Sequence, residues 1–175
     1  FPFLKDLNEG QSLEGFLFPS TYEIYIDSTE EEIIEKMLSK FQQVYDEKIK
    51  ENMEKVQMTL NEVVTLASIV EREAKRDDER DLISGVFHNR LRINMPLQSC
   101  ATVQYILGER KENLSEEDLK IDSIYNTYIY NGLPPAPIAS PGEKSLIAAV
   151  NPADVEYLFF RTKEDGTGGH TFSVT

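Results

Sequence analysis

Between Leu60 and Lys75 the apolar residues recur at helical spacing. Plotted at about 100° per residue, Val63, Leu66, Ala67, Val70 and Ala74 share one face, with Ile69 at its edge. Thr59 followed by Glu62 makes a capping box, so the helix opens at Leu60. The pattern predicts helices on both sides of this one. Ser28 or Thr29 caps a long helix whose first turn, Glu30 to Glu32, is acidic, as the helix dipole favours. Its stripe is Ile33, Ile34, Met37, Leu38, Phe41 and Val44, and it runs to about Lys50. Residues 51–58 are polar and read as a connection. A further helix spans about Glu79 to Arg92, with Leu82, Ile83, Val86, Phe87 and Leu91 turned inward and Asp77 or Asp78 as its cap. Short helices are expected over Ala101 to Leu107, closed by Gly108, over Leu114 to Asp118 with Ser115 as cap, and over Ser145 to Val150.

Strand signals are weaker. Leu13 to Phe18 and Tyr22 to Ile26 are aromatic and β-branched enough for two short strands, interrupted at Pro19 and Ser20. Tyr157 to Thr162 and His170 to Val174 flank a Gly-rich turn and read as a hairpin. Residues 121–142 show no period and are rich in Tyr, Pro and Gly; an irregular loop of that length in a compact domain is usually functional. Helices with separate short strands predict an α+β fold: a helical core with short antiparallel strands packed at its side, one domain over residues 1–175.

The candidate chemistry starts inside the central helix. Glu71 and Glu73 are two residues apart and must point in different directions. Glu73 falls between Ile69 and Leu66, on the apolar side, and Glu71 lies at the opposite border beside Val64. A carboxylate on a buried face is costly unless paired or protonated, and burial is how a Glu becomes a proton donor near neutral pH. The plain alternative is a solvated Glu, or one paired with Arg72 or Arg76. Asn89, Gln98, Ser99, Asn126, Thr127 and Asn131 supply amides and hydroxyls suited to sugar hydroxyls. Tyr105, Tyr125, Tyr128 and Tyr130 supply flat faces for pyranose rings. Taken singly, each of these residues has an equally ordinary role in a turn, a cap or the core.

Composition removes several classes. A formal net charge of −13, with no basic cluster, argues against nucleic acid as a partner. Cys100 is the only cysteine, so no intrachain disulfide forms, and nothing basic surrounds it to make a nucleophile. His88 and His170 lack metal-ligand spacing, and no metal or cofactor is expected. No GxSxG elbow is present. No apolar run approaches the roughly 20 residues that cross a bilayer. The chain starts at Phe1, and the expectation is a fragment from which an anchor segment is missing.

Seven ordered blocks carry a resemblance: LEGFLFPSTYEI, LASIVEREA, ERDLISGVFHNRL, MPLQSCATVQYILG, YNTYIYNGLPPAPIASPG, LIAAVNPADVEYLFF and GGHTFSVT. In this order they resemble the endolytic murein transglycosylase family, also called MltG or YceG-like, over about residues 12–175. The resemblance implies a bacterial enzyme with an N-terminal membrane anchor and a small LysM-like lobe, both absent or mostly absent from this chain. Its catalytic domain would sit on the outer, cell-wall side of the cytoplasmic membrane. It implies cleavage of the β-1,4 bond between N-acetylmuramic acid and N-acetylglucosamine in nascent glycan strands, leaving 1,6-anhydro ends. One Glu acts as acid and then as base, and no cofactor is needed. Peptidoglycan strands are the implied partner, with peptidoglycan synthases as further candidates.

The family motif puts the catalytic Glu in the SIVExE element. It is carried to Glu73, with Glu71 as the fallback. Gln98, Ser99, Tyr125, Asn126, Thr127 and Tyr128 match family positions that would line the sugar groove, and Glu14 and His170 match positions without an assigned role. Cys100 and Ala101 stand where the family commonly has Asp-Pro, and Ala74 where it often has Thr. A muramidase acting with water on the same bond, and a non-catalytic glycan-binding scaffold module, remain as alternatives.

Overall fold

The computed structural model describes residues 1–175. Helix α3 (Leu60–Glu73) is the axis on which the other elements pack. It is not the one-sided helix that its strongest stripe suggests. Val63, Val64, Thr65, Leu66, Ala67, Ser68, Ile69 and Val70 are all at 0% exposure, so the helix is enclosed all round. Its two buried hydroxyls are satisfied locally: Thr65 Oγ1 donates to the Asn61 carbonyl at 2.7 Å, and Ser68 Oγ to the Thr65 carbonyl at 2.6 Å. A fully buried aliphatic side chain contributes roughly 1.5–3 kcal/mol, so this segment alone anchors the core.

α1 (Glu30–Val44) begins with a capping box between Thr29 and Glu32, and α3 with the expected one between Thr59 and Glu62. α1 does not stop near Lys50. It passes through a π turn, Tyr45–Ile49, into α2 (Lys50–Val56), which Gln57 ends in the left-handed region at φ 54°. The stretch read as a polar connection is therefore mostly helix. The π turn changes which side chains face inward, so Ile49 is buried while Met53 and Val56 form a narrow apolar edge against the core. Phe3, Phe16 and Phe41 pack together under this arm, with ring centroids 5.0–5.9 Å apart.

The two strands expected near the start are absent. Leu13 to Phe18 is a turn, closed by the Phe16 N–H on the Leu13 carbonyl at 2.9 Å. Gly15, at φ +96°, interrupts any extended run, and a Cβ there would lie 2.5 Å from Pro137. Residues 22–25 have no regular structure and no partner strand, Ile26 opens a turn, and Tyr25 and Ile26 are exposed.

α4 (Arg80–Arg92) follows a 3-10 turn at Asp77–Glu79. Asp77 and Asp78 do not cap it; they pair with Arg80 and Lys144 and with Arg76, respectively. α5 (Cys100–Leu107) ends at Gly108 in the left-handed region. The expected helix at Leu114–Asp118 is a 3-10 turn one step later, Asp118–Lys120, set by reciprocal hydrogen bonds between Ser115 and Asp118. α6 (Glu143–Val150) lies along α3. β1 (Phe159–Thr162) and β2 (His170–Ser173) pair antiparallel, with Phe159 opposite Ser173 and Thr162 opposite His170. The hairpin rests on α4, where Phe160 meets Phe87 edge-on at 5.7 Å. The architecture is α+β, helical with one small hairpin at its side. No helix is long and apolar enough to cross a membrane.

Candidate active site

The last turn of α3 sends its two carboxylates to different destinations. Glu71 Oε2 accepts hydrogen bonds from Arg80 Nη1 at 3.3 Å, from the Gly142 N–H at 3.4 Å and from Ser145 Oγ. Gly142 is the N-cap of α6, so Glu71 sits at that helix's positive end with a cation beside it. It is a fastening between α3, α4 and α6.

Glu73 ends α3 on another side. Its Oε1 accepts from Ser99 Oγ at 2.5 Å and faces the Ala101 N–H at 3.5 Å. Ser99 is the N-cap of α5, yet its hydroxyl caps nothing on its own helix and is directed at Glu73 instead. Glu73 is half-buried, no basic residue pairs with it, and its Oε2 takes no hydrogen bond from the protein. The helical plot aimed Glu73 at an apolar surface. The structure surrounds its carboxylate with two polar donors, because the α5 N-terminus packs against the end of α3.

Ser99 is itself held tightly. It is 2% exposed, its N–H donates to Thr127 Oγ1 at 2.9 Å, and its carbonyl accepts from Thr102 Oγ1 at 2.8 Å. The preceding Gln98 is in the left-handed region at φ 50°, with its N–H on the Thr127 carbonyl at 3.1 Å and its side chain exposed. Thr127 and Asn126 are fully buried. Asn126 Nδ2 donates to the Leu119 and Ile121 carbonyls and its Oδ1 accepts the Tyr128 N–H, which shapes the loop under Ser99. These two residues scaffold the site and do not line it.

Tyr128 is near enough to Glu73 to feel its charge. Burial first, then the Cys100 thiol 3.1 Å from its hydroxyl and the charge of Glu73, push its phenol well above the usual value. On the far side of α5, the Tyr105 hydroxyl donates to Glu14 Oε2 at 3.2 Å, and its ring meets Tyr125 at 5.0 Å between centroids. Burial and then the Glu14 charge push the Tyr105 phenol up to about 12. Beside Tyr105 a depression of about 310 Å³ is walled by Arg72, Ala101, Gln104, Arg110 and Ile138, among others. Sequence reasoning missed Arg72 and Arg110 as lining; the only signal was Arg72's place directly before Glu73.

Two expected residues lie outside this group. Asn89 Nδ2 donates to the Val155 and Tyr157 carbonyls at 2.7 and 2.8 Å, which ties α4 to the approach to β1. His170 is buried, with Nδ1 and its backbone N–H on Glu79 at 2.8 and 2.9 Å. Burial opposes the Glu79 charge, but these hydrogen bonds outweigh it and hold the carboxyl below its ordinary value. A larger cavity of about 1000 Å³ opens near the N-terminal end of α3, lined among others by Asn61, His88 and Pro135, away from both carboxylates.

The domain is helical α+β, and its central helix ends on a carboxylate, Glu73, anchored through one oxygen. The chain belongs to the YceG-like family, whose model matches residues 3–175. It is 42% identical over 154 residues to an endolytic murein transglycosylase of Bacillus subtilis, an alignment covering 88% of this chain and 43% of the relative. It is 38% identical over 165 residues to the endolytic murein transglycosylase of Streptococcus pneumoniae, covering 90% of this chain and 29% of that one. The crystal structure of a YceG-like protein from Listeria monocytogenes superposes with a TM-score of 0.87 at 38% identity, over 96% of this chain and 55% of that one. The chain spans less than half the length of these two relatives.

Proposed function

We propose that this domain is a peptidoglycan lytic transglycosylase in which Glu73 is the single acid and base. The observation that carries the reading is the state of its carboxylate: Oε1 anchored by Ser99 and Oε2 without a protein partner. In the first step the Glu73 carboxyl gives its proton to the glycosidic oxygen as the bond from that oxygen to C1 of N-acetylmuramic acid breaks. In the second, the C6 hydroxyl oxygen of the same sugar bonds to C1 and its proton passes to the Glu73 carboxylate. No water is consumed, Glu73 ends as it began, and the product carries a 1,6-anhydro ring.

This chemistry needs one free carboxylate, whereas a hydrolase positions a second for water or for a covalent intermediate. Glu71 suits that second role less well, because Arg80, the Gly142 N–H and Ser145 all engage its Oε2. Gln98 and Tyr128, with the Tyr105–Tyr125 pair, are the groups that would meet sugar rings. Glu14 acts through Tyr105, whose ring it steadies. A glycan of this kind means work on the outer side of the cytoplasmic membrane, with peptidoglycan synthases as candidate neighbours.

The test is the mass of the product. Purified protein given glycan strands should release fragments lighter by one water than the hydrolysis products, and Glu73→Gln should release none. Fragments at the hydrolysed mass would make it a muramidase. Equal cleavage by Glu73→Gln would remove Glu73 from the chemistry, and binding without cleavage by the parent would leave a scaffold module.

A further inference from the structure

The depression beside Glu73 has a charge character at odds with the rest of the chain. Acidic residues outnumber basic ones by 31 to 18. Five of the seven arginines are engaged: Arg76, Arg80 and Arg161 with carboxylates, Arg90 with backbone carbonyls, and Arg92 with the Asn89 side chain. Arg72 and Arg110 have neither an ion pair nor a hydrogen bond, both are exposed, and both line this one depression. The only acid in the lining is Glu109, so the balance there is positive. Unpaired guanidinium groups converging on one concavity suit a planar anion, above all a carboxylate, which they can grip with two parallel hydrogen bonds.

The position narrows what that carboxylate belongs to. Arg72 directly precedes Glu73, and Ala101, whose N–H faces Glu73 Oε1, is also part of the wall. A group bound here is therefore close to the bond being cut. Ile138, Ala101 and the Tyr105 ring offer apolar surface beside the charges, which fits a short peptide better than a further sugar. We propose that this depression is a carboxylate subsite for an acidic peptide branch carried on the glycan next to the scissile bond, and that it makes peptide-bearing strands the preferred substrate. The proposal rests on the reading of Glu73 as the cleaving group.

Three matched glycans test it: one with peptide branches bearing free carboxylates, one with those carboxylates amidated, and one stripped of peptide. For the parent protein, KM should be roughly tenfold lower for the free-carboxylate strand than for the amidated or stripped one. Arg72→Gln and Arg110→Gln should each remove roughly threefold of that preference, and the double variant should bring the ratio to about one. The parent's preference should also shrink as salt is raised. Arg110→Gln lies in an exposed segment after α5 and serves should Arg72→Gln disturb the end of α3.

Binding of the free acidic peptide to Glu73→Gln protein, measured by calorimetry with and without the arginines, gives a readout that needs no cleavage. Equal KM for free and amidated strands, or a double variant that keeps the parent's ratio, overturns the subsite. Arginine-dependent peptide binding without any cleavage by the parent would sink the reading of Glu73 and leave the subsite standing.

Discussion

Replacing Ser99 with alanine deletes one hydroxyl and leaves the backbone frame untouched. The Ser99 N–H still meets Thr127 and its carbonyl still meets Thr102. What disappears is the 2.5 Å hydrogen bond to Glu73 Oε1, leaving only the long 3.5 Å approach of the Ala101 N–H. A hydrogen bond to a charged group contributes roughly 1.5–3 kcal/mol, and the lower end applies because Glu73 is half-exposed and water can replace the donor. If that bond holds the carboxyl in line with the glycosidic oxygen, the deficit falls on the chemical step: about a tenfold to thirtyfold loss in kcat. KM should stay within about twofold, since no sugar contact is removed. The assay is initial rate of anhydro-product release over a substrate range, with a thermal melt as the control for folding. On a Glu73→Gln background the same change should add nothing, because the two residues act as one unit. A kcat within about threefold of the parent, with an unchanged melt, would refute the idea that Ser99 sets the acid's position.

Three further outcomes follow from the same geometry. Glu71→Gln keeps an amide oxygen for Ser145 but removes the charge that faces Arg80 and the start of α6, and should lower unfolding free energy in urea by about 1–2 kcal/mol; its effect on kcat should be far smaller than that of Glu73→Gln, and the reverse order would move the chemistry to Glu71. Gly15→Ala puts a methyl into Pro137 at a residue with φ +96°, so it should cost about 2 kcal/mol or more in urea, and a neutral result would contradict the close packing of that loop. His88 is held below the usual histidine value by burial, so the unfolded chain takes up its proton first as pH falls. Its contribution is fully present above about pH 6.5 and is lost on the way down through the lower folded value; His88→Gln should flatten that part of a stability–pH curve.

Much of the fold could be read from local pattern because local chemistry decides it. The Thr59–Glu62 capping box, the Gly108 stop and the hairpin around Gly166 and Gly168 all depend on residues within a few positions of one another. Failures came where a distant partner decides. Leu13 to Phe18 has strand composition but meets Pro137 and Phe41 instead of another strand. The extent of α2 was hidden by a π turn, which shifts the apolar spacing away from a single helical period. The site divides the same way. Glu73, Gln98 and Tyr128 could be proposed from the sequence as candidates, but whether Asn126 and Thr127 are exposed or hold the frame depends on the groups behind them, and those are supplied by other loops.

The fates of Glu71 and Glu73 follow from one arrangement. The C-terminal end of a helix is its negative pole, and a carboxylate there is unfavourable unless something positive is brought to it. Here α3 delivers both carboxylates to the positive ends of other helices, Glu71 to α6 and Glu73 to α5. The difference lies in what accompanies each. Arg80 joins Glu71 and, with the Gly142 N–H and Ser145, ties its Oε2 into the junction of α3, α4 and α6. No cation joins Glu73, and Arg72, one residue earlier on the helix, is turned into the neighbouring depression. A full ion pair at Glu73 would favour its charged form throughout and weaken it as a proton donor. On the proposed reading of Glu73, withholding that partner while keeping the hydrogen bond from Ser99 fixes the carboxylate in place and leaves Oε2 for the substrate.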